Sequence, residues 1–206
     1  MQTSATQSVR QVIVIGASYA GDWGTPRLPG HTLTNRGVGG EETSAVLARF
    51  DKDVIAAKPD AVIIWGHIND IFRAPGGDMS AGARKAKDNL RQMIERARGA
   101  GIETIVATEI TMSRPPGFME WAAGIAGKLL GKKSYQERVN DQVRDVNEFL
   151  RRQAAQQGLQ VLDFERAMDN GEGFRRPEFS TPDGSHISQA GYDRLTAYTR
   201  SVWGKK

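Results

Sequence analysis

Short β-branched runs alternate along the chain with stripes of apolar residues at helical spacing. Val12-Ile13-Val14-Ile15 ends at Gly16 and reads as a buried strand. Residues 31–35, HTLTN, form a weaker strand before the glycines at 37, 39 and 40. A helix fits 43–58, with Val46, Leu47, Phe50 and Val54 on one face and Pro59 as its stop. Ala61 to Trp65 is a second clear strand. Residues 81–98 follow with Ala83, Ala86, Leu90, Met93, Ile94 and Ala97 on one helical face, ended by Gly99 and Gly101. Thr104 to Thr108 predicts the next strand. The strongest helix spans 135–157, where Val139, Val143, Val146, Leu150 and Ala154 recur every three or four residues. Ser134 and Glu137 have the spacing of a capping box, and Gly158 closes the helix. Leu159 to Phe164 reads as a last strand. Ser188 caps a final helix carrying Tyr192, Leu195, Thr199 and Val202.

Strands alternating with helices imply right-handed crossovers and a parallel sheet covered on both faces, an α/β fold. We expect a polar tail over 1–10 and one domain over 11–206. The stretch 113–133, SRPPGFMEWAAGIAGKLLGKK, is too long for a plain connection and reads as an insertion. Phe118, Ala122, Ile125 and Leu129 make a helical stripe within it, with Met119 and Trp121 alongside. It is either a flap over a substrate pocket or a helix packed on the body.

Composition narrows the classes. With 206 residues, 39% hydrophobic and 25% charged, the chain has material for a sizeable core, which excludes disorder as a description of the whole. It has no Cys, which excludes disulfide scaffolds, cysteine nucleophiles, zinc ribbons and iron–sulfur clusters. The net charge is +4, but the basic pairs Lys132–Lys133, Arg151–Arg152, Arg175–Arg176 and Lys205–Lys206 are scattered. They read as solvated surface, and no nucleic-acid partner is expected. No apolar stretch is long enough to span a membrane, so stable membrane insertion is not expected either. The N-terminus, MQTSATQSVRQ, lacks an apolar signal core. The expectation is a cytoplasmic protein, or a secreted or periplasmic one if a leader has been removed. Nothing in the sequence sets the oligomeric state.

In a doubly wound sheet, ligands bind outside the carboxyl ends of the strands. The residues just after each strand there are Gly16-Ala17-Ser18-Tyr19, then Asn35 to Gly40, then Gly66-His67-Ile68-Asn69-Asp70. Further on comes Asp183-Gly184-Ser185-His186. These types make an acyl-transfer site. A serine hydroxyl needs a base to take its proton, and histidine suits that role near neutral pH. A carboxylate on the other ring nitrogen fixes the tautomer. Backbone N–H groups at Ser18 and Gly40 and the amide of Asn69 supply donors for an oxyanion.

The conjunction resembles the SGNH hydrolases, also called GDSL esterases and lipases. The matching blocks are GASY at Ser18, NRGVGGEET at Gly40, GHIND at Asn69 and DGSHISQAGY at Asp183 and His186. The resemblance runs from the first strand to the last helix. It implies a three-layer α/β/α sandwich on a five-stranded parallel sheet, with no metal or cofactor. It also implies Ser18 as nucleophile, His186 as base, Asp183 as its orienting acid, and Ser18, Gly40 and Asn69 as the oxyanion hole. The implied reaction is hydrolysis of carboxylic esters, short acyl or acetyl esters first, through an acyl-enzyme. Lysophospholipids, thioesters and acetylated carbohydrates are alternative substrates on the same fold.

Two positions depart from that family pattern. Ala17 stands where Asp usually precedes the nucleophile, and His67 stands where Gly usually precedes the block-three Asn by two residues. The aromatic residues near the blocks, Tyr19, Trp23, His67 and Phe72, with Phe118 and Trp121 from the insertion, are candidates for the substrate pocket. Trp65 is equally a strand-core residue. An α/β-hydrolase does not fit, since its nucleophile comes well into the chain within G-x-S-x-G, and Ala20 occupies the last of those glycines. A remote alternative is a non-catalytic nucleotide-binding or interaction module built on Gly37-Val38-Gly39-Gly40. Against it, Glu42 occupies the third glycine of G-x-G-x-x-G, and Glu41 and Glu42 would repel a phosphate.

Overall fold

The computed structural model describes residues 9–114 and 133–203. The insertion's candidates Phe118 and Trp121, and its stripe, lie outside the described residues. Five strands form one parallel sheet: β1 Arg10–Gly16, β2 His31–Gly37, β3 Ala61–Trp65, β4 Glu103–Ala107 and β5 Gln160–Leu162. Their order is β2-β1-β3-β4-β5. The register aligns Gly16 with both Gly37 and Trp65, so the carboxyl ends of β1, β2 and β3 finish at one level. The chain's direction across the sheet reverses beside β1, which opens a crevice at the ends of β1 and β3.

Both faces are dry, because residues along each strand alternate between them. Val12, Val14, Ile63, Trp65 and Ile105 pack on one side with Trp23, Phe164 and Leu195. Ile13, Ile15, Val62, Ile64 and Val106 pack on the other with Phe50, Leu90, Met93 and Ile94. The helices that cover the sheet are α1 Ser18–Asp22, α2 Thr43–Phe50, α3 Ile68–Phe72, α4 Met79–Gly99, α5 Tyr135–Gln157, α6 Phe164–Met168 and α7 Gln189–Val202. No helix among the described residues is long and apolar enough to cross a membrane.

Helix α5 begins and ends as its sequence predicts. Ser134 Oγ accepts from Glu137 N at 3.1 Å and Glu137 Oε2 accepts from Ser134 N at 2.7 Å, a complete capping box. Gly158 closes the helix in the left-handed region at φ 67°. Three expectations differ in detail. The helix expected over 43–58 keeps α geometry only to Phe50 and then widens into a π turn over Asp51–Ile55. Ala56 N reaches Asp51 O there at 2.8 Å, a bond closed over five residues. The last strand is shorter than expected, because Asp163 leaves the sheet to cap α6 by accepting from Arg166 N. The pair Arg175–Arg176 is not all surface, since Arg175 is 0% exposed.

Candidate active site

Ser18 opens α1 directly after β1 and is half-buried. Gly16, two residues earlier, allows the close approach of β1 to β3. A Cβ on it would sit 1.6 Å from the Trp65 carbonyl oxygen. Ala17, at the N-cap of α1, provides no side-chain cap. No hydrogen bond is made by the Ser18 N–H among the described residues.

The loop after β2 turns at Gly40, whose φ of 77° favours glycine. Its N–H is also unengaged among the described residues. Helix α3 and the residue that ends it, Arg73, face this loop with two side chains one turn apart. Asn69 Nδ2 donates to the Glu41 carbonyl at 2.9 Å, and Arg73 Nη1 donates to the Gly40 carbonyl at 2.6 Å. Among the described residues, the second amide hydrogen of Asn69 has no acceptor. The loop's acids are committed elsewhere, Glu41 to Arg49 and Glu42 to Lys85, each at 2.8 Å. Asp70 Oδ1 and Oδ2 accept from Thr43 Oγ1 and Thr43 N at 2.7 and 2.9 Å, which ties α3 to the start of α2.

Asp183 and His186 share one tight turn. Asp183 Oδ1 accepts from the backbone N–H of Ser185 at 2.7 Å and of His186 at 2.9 Å. Its Oδ2 lies 2.7 Å from His186 Nδ1. Desolvation raises the Asp183 pKa, but the bonds from the His186 N–H and ring outweigh it and hold the carboxyl well below the usual range. An ionised carboxylate only accepts, so the proton of that contact belongs to Nδ1 and leaves Nε2 to accept another. This turn meets α1 through Tyr19, whose hydroxyl donates to the Ser185 carbonyl. The residue after Ser18 is thereby bonded to the residue before His186.

Three of the aromatic candidates are buried rather than lining a pocket. Tyr19 is held by Ser185 and its phenol is pushed up to about 12 by burial. Trp23 donates its indole N–H to Thr196 Oγ1 at 3.0 Å and packs edge-on against Trp65 and Phe164 in the core. His67 is 2% exposed, and neither ring nitrogen has a hydrogen-bond partner of ordinary geometry among the described residues. Burial lowers its pKa to about 3, so the ring is neutral. An aromatic residue near a motif says nothing about which way it faces, and these three face the core. Phe72 is half-buried and packs on the edge of the same core.

Sequence reasoning also passed over Glu109. Buried just beyond β4, its carboxylate accepts from His67 N at 2.9 Å, Ile110 N at 3.2 Å and Ile68 N at 3.4 Å. It thereby receives the free N–H groups at the start of α3, the helix that carries Asn69. Burial raises its pKa against the opposing pull of those N–H bonds. The available signal was an acid immediately after a strand on the carboxyl edge of the sheet.

A groove of about 1120 Å³ lies at the opposite, amino ends of the strands, lined by Arg10, Asp60, Glu103, Leu159 and Tyr198 among others. No serine or histidine is among its lining residues, so chemistry rather than volume selects the edge at Ser18. No group of His, Asp and Glu suited to holding a metal ion occurs among the described residues.

The family described as GDSL-like Lipase/Acylhydrolase matches residues 16–194. Lipoprotein YqeF of Bacillus subtilis (strain 168) is 24% identical over 165 residues, 77% of this chain and 68% of that protein. Among solved structures, an acetylxylan esterase from Geobacillus stearothermophilus has a TM-score of 0.72 at 19% identity, covering 97% of this chain and 96% of its own. A GDSL-like lipase from Bacteroides thetaiotaomicron has a TM-score of 0.71 at 18% identity, covering 94% and 87%. Those structural likenesses are of fold, whereas the family match spans every block from Ser18 to His186. The chain belongs to the GDSL-like lipase/acylhydrolase family of ester hydrolases.

Proposed function

We propose that the protein is a serine esterase that cleaves carboxylic esters through an acyl-enzyme on Ser18. The observation that carries this reading is the Asp183–His186 pair, joined to the nucleophile's neighbour through Tyr19 and Ser185. In the first step Ser18 Oγ attacks the ester carbonyl carbon while His186 Nε2 takes the hydroxyl proton. Asp183 steadies the resulting imidazolium at Nδ1. The carbonyl electron pair moves onto oxygen, where the N–H groups of Ser18 and Gly40 and the second amide hydrogen of Asn69 receive it. When the carbonyl re-forms, the C–O bond to the alcohol breaks and His186 returns the proton to the alcohol. Water then repeats the cycle on the acyl-enzyme and releases the acid.

Short acyl esters, acetyl first, are the proposed substrates. The fold neighbour from G. stearothermophilus is an acetylxylan esterase, which makes an acetylated carbohydrate the next substrate to try. The test is hydrolysis of p-nitrophenyl acetate by the parent chain and by Ser18→Ala. We expect turnover in the parent and a loss of at least about 10³-fold in the variant. Undiminished turnover in folded Ser18→Ala would remove serine catalysis from the proposal.

A further inference from the structure

Arg175 is the one arginine among the described residues that is wholly buried, and it has no ion pair with a carboxylate among those residues. Sinking a guanidinium without a counter-ion carries a desolvation cost that an apolar side chain of the same bulk would avoid. The hydrogen bonds of this side chain show where that cost is spent. Arg175 Nη2 donates to the Gly184 carbonyl at 2.9 Å, and Nε donates to Ser180 Oγ at 2.9 Å. Ser180 lies just before the turn that carries Asp183 and His186, and Gly184 lies within it. The Gly184 carbonyl also accepts from Ser113 N and Ser113 Oγ, both at 3.2 Å. Three donors therefore converge on one carbonyl inside the acid–base turn.

The other face of the guanidinium meets the nucleophile's side of the site. Its central carbon lies 6.0 Å over the ring of Tyr19, within reach of a cation–π contact. The hydroxyl of that ring donates to the Ser185 carbonyl. Arg175 and Tyr19 thus hold adjacent peptide carbonyls, Gly184 and Ser185, while resting on each other. Ser18 and His186 are each one residue from this clamp.

We infer that Arg175 and Tyr19 form a positioning clamp that fixes the distance from His186 to Ser18. The inference rests on the serine-esterase reading above. Neither residue touches the reacting atoms. Both act by setting the geometry of proton transfer, a step in which a displacement of about 1 Å can cost on the order of 10²-fold in rate. Lysine cannot replace the arginine, because one ammonium lacks the planar fork that reaches Ser180 and Gly184 together.

The test compares Tyr19→Phe, Arg175→Lys and Arg175→Met with the parent and with Ser18→Ala. Hydrolysis of p-nitrophenyl acetate gives kcat and KM separately, fluorophosphonate labelling gives the reactivity of Ser18, and thermal melting monitors folding. Tyr19→Phe keeps the ring and deletes only the hydroxyl, so it decides the matter even if the arginine variants fail to fold. We expect kcat to fall about 10-fold in Tyr19→Phe and about 10²-fold in folded Arg175→Lys, with KM within about twofold and labelling slowed in parallel. We expect folded Arg175→Met to melt no lower than the parent yet lose as much kcat as Arg175→Lys. Parent-like kcat in Tyr19→Phe, or losses confined to KM, would overturn the clamp while Ser18→Ala remained inactive. An active Ser18→Ala would instead overturn the esterase reading on which the clamp rests.

Discussion

Asn69 divides its amide between two tasks. One hydrogen is committed to the Glu41 carbonyl at 2.9 Å, which fixes the rotamer, and the other, without an acceptor among the described residues, is on the proposed mechanism the donor to a charge that forms during the reaction. A donor pre-set in this way acts on the transition state more than on the bound ester. Asn69→Ala is therefore expected to lower kcat by roughly 10²–10³ with little change in KM. A change confined to KM would make Asn69 a binder of the ground state. Asn69, Ser18, Asp183 and His186 were legible because each is a reactive or donating type just after a strand or inside a recognisable block. Tyr19, Trp23 and His67 were read as pocket residues because aromatic character beside a motif does not report burial. Arg175 was read as surface for a similar reason: an arginine is usually solvated, and only tertiary packing reveals the exception.

At the level of elements, legibility tracked how many signals agreed. Helix α5 had an apolar stripe, a capping box and a terminal glycine, and all three features are seen. Helix α4 had its stripe, and Asp78 caps it one residue ahead of Met79 by accepting from Ala81 N. Helices α3 and α6 went unread, since five residues are too few to show a period of 3.6. That gap mattered, because α3 carries Asn69 and its start depends on Glu109, which lies 40 residues downstream of Asn69 in the chain. The π turn after α2 was unreadable too. Its residues Asp51 to Ile55 continue the helical pattern, and only the backbone bond from Ala56 to Asp51 marks the change.

Across the whole molecule, the alternation of strands and helices pointed to a parallel sheet, and the register then brings the residues after β1, β2 and β3 to one edge. The same fold buries titratable groups that tie stability to pH. The His67 ring has a folded pKa near 3 against an ordinary 6.5, so between those values the unfolded chain holds a proton that the folded one does not. Stability from this group is complete above about pH 6.5 and is lost as pH falls toward 3, by up to about 1.4 kcal/mol per unit. Glu109 works in the opposite sense, because burial raises its pKa and favours the protonated fold at low pH. Chemical denaturation of the parent and of His67→Leu from pH 7 to pH 4 separates the two, and the parent should lose stability relative to the variant toward acid, whichever is the more stable at pH 7. A constant difference would mean that His67 takes a proton without cost.

The most direct test is to map where a covalent inhibitor attaches. Treatment with a fluorophosphonate, then digestion and tandem mass spectrometry, should place the adduct on Ser18, and its formation should slow sharply in His186→Ala. An adduct on another residue, or efficient ester hydrolysis by a chain that takes no label at Ser18, would contradict the assignment of Ser18 as nucleophile.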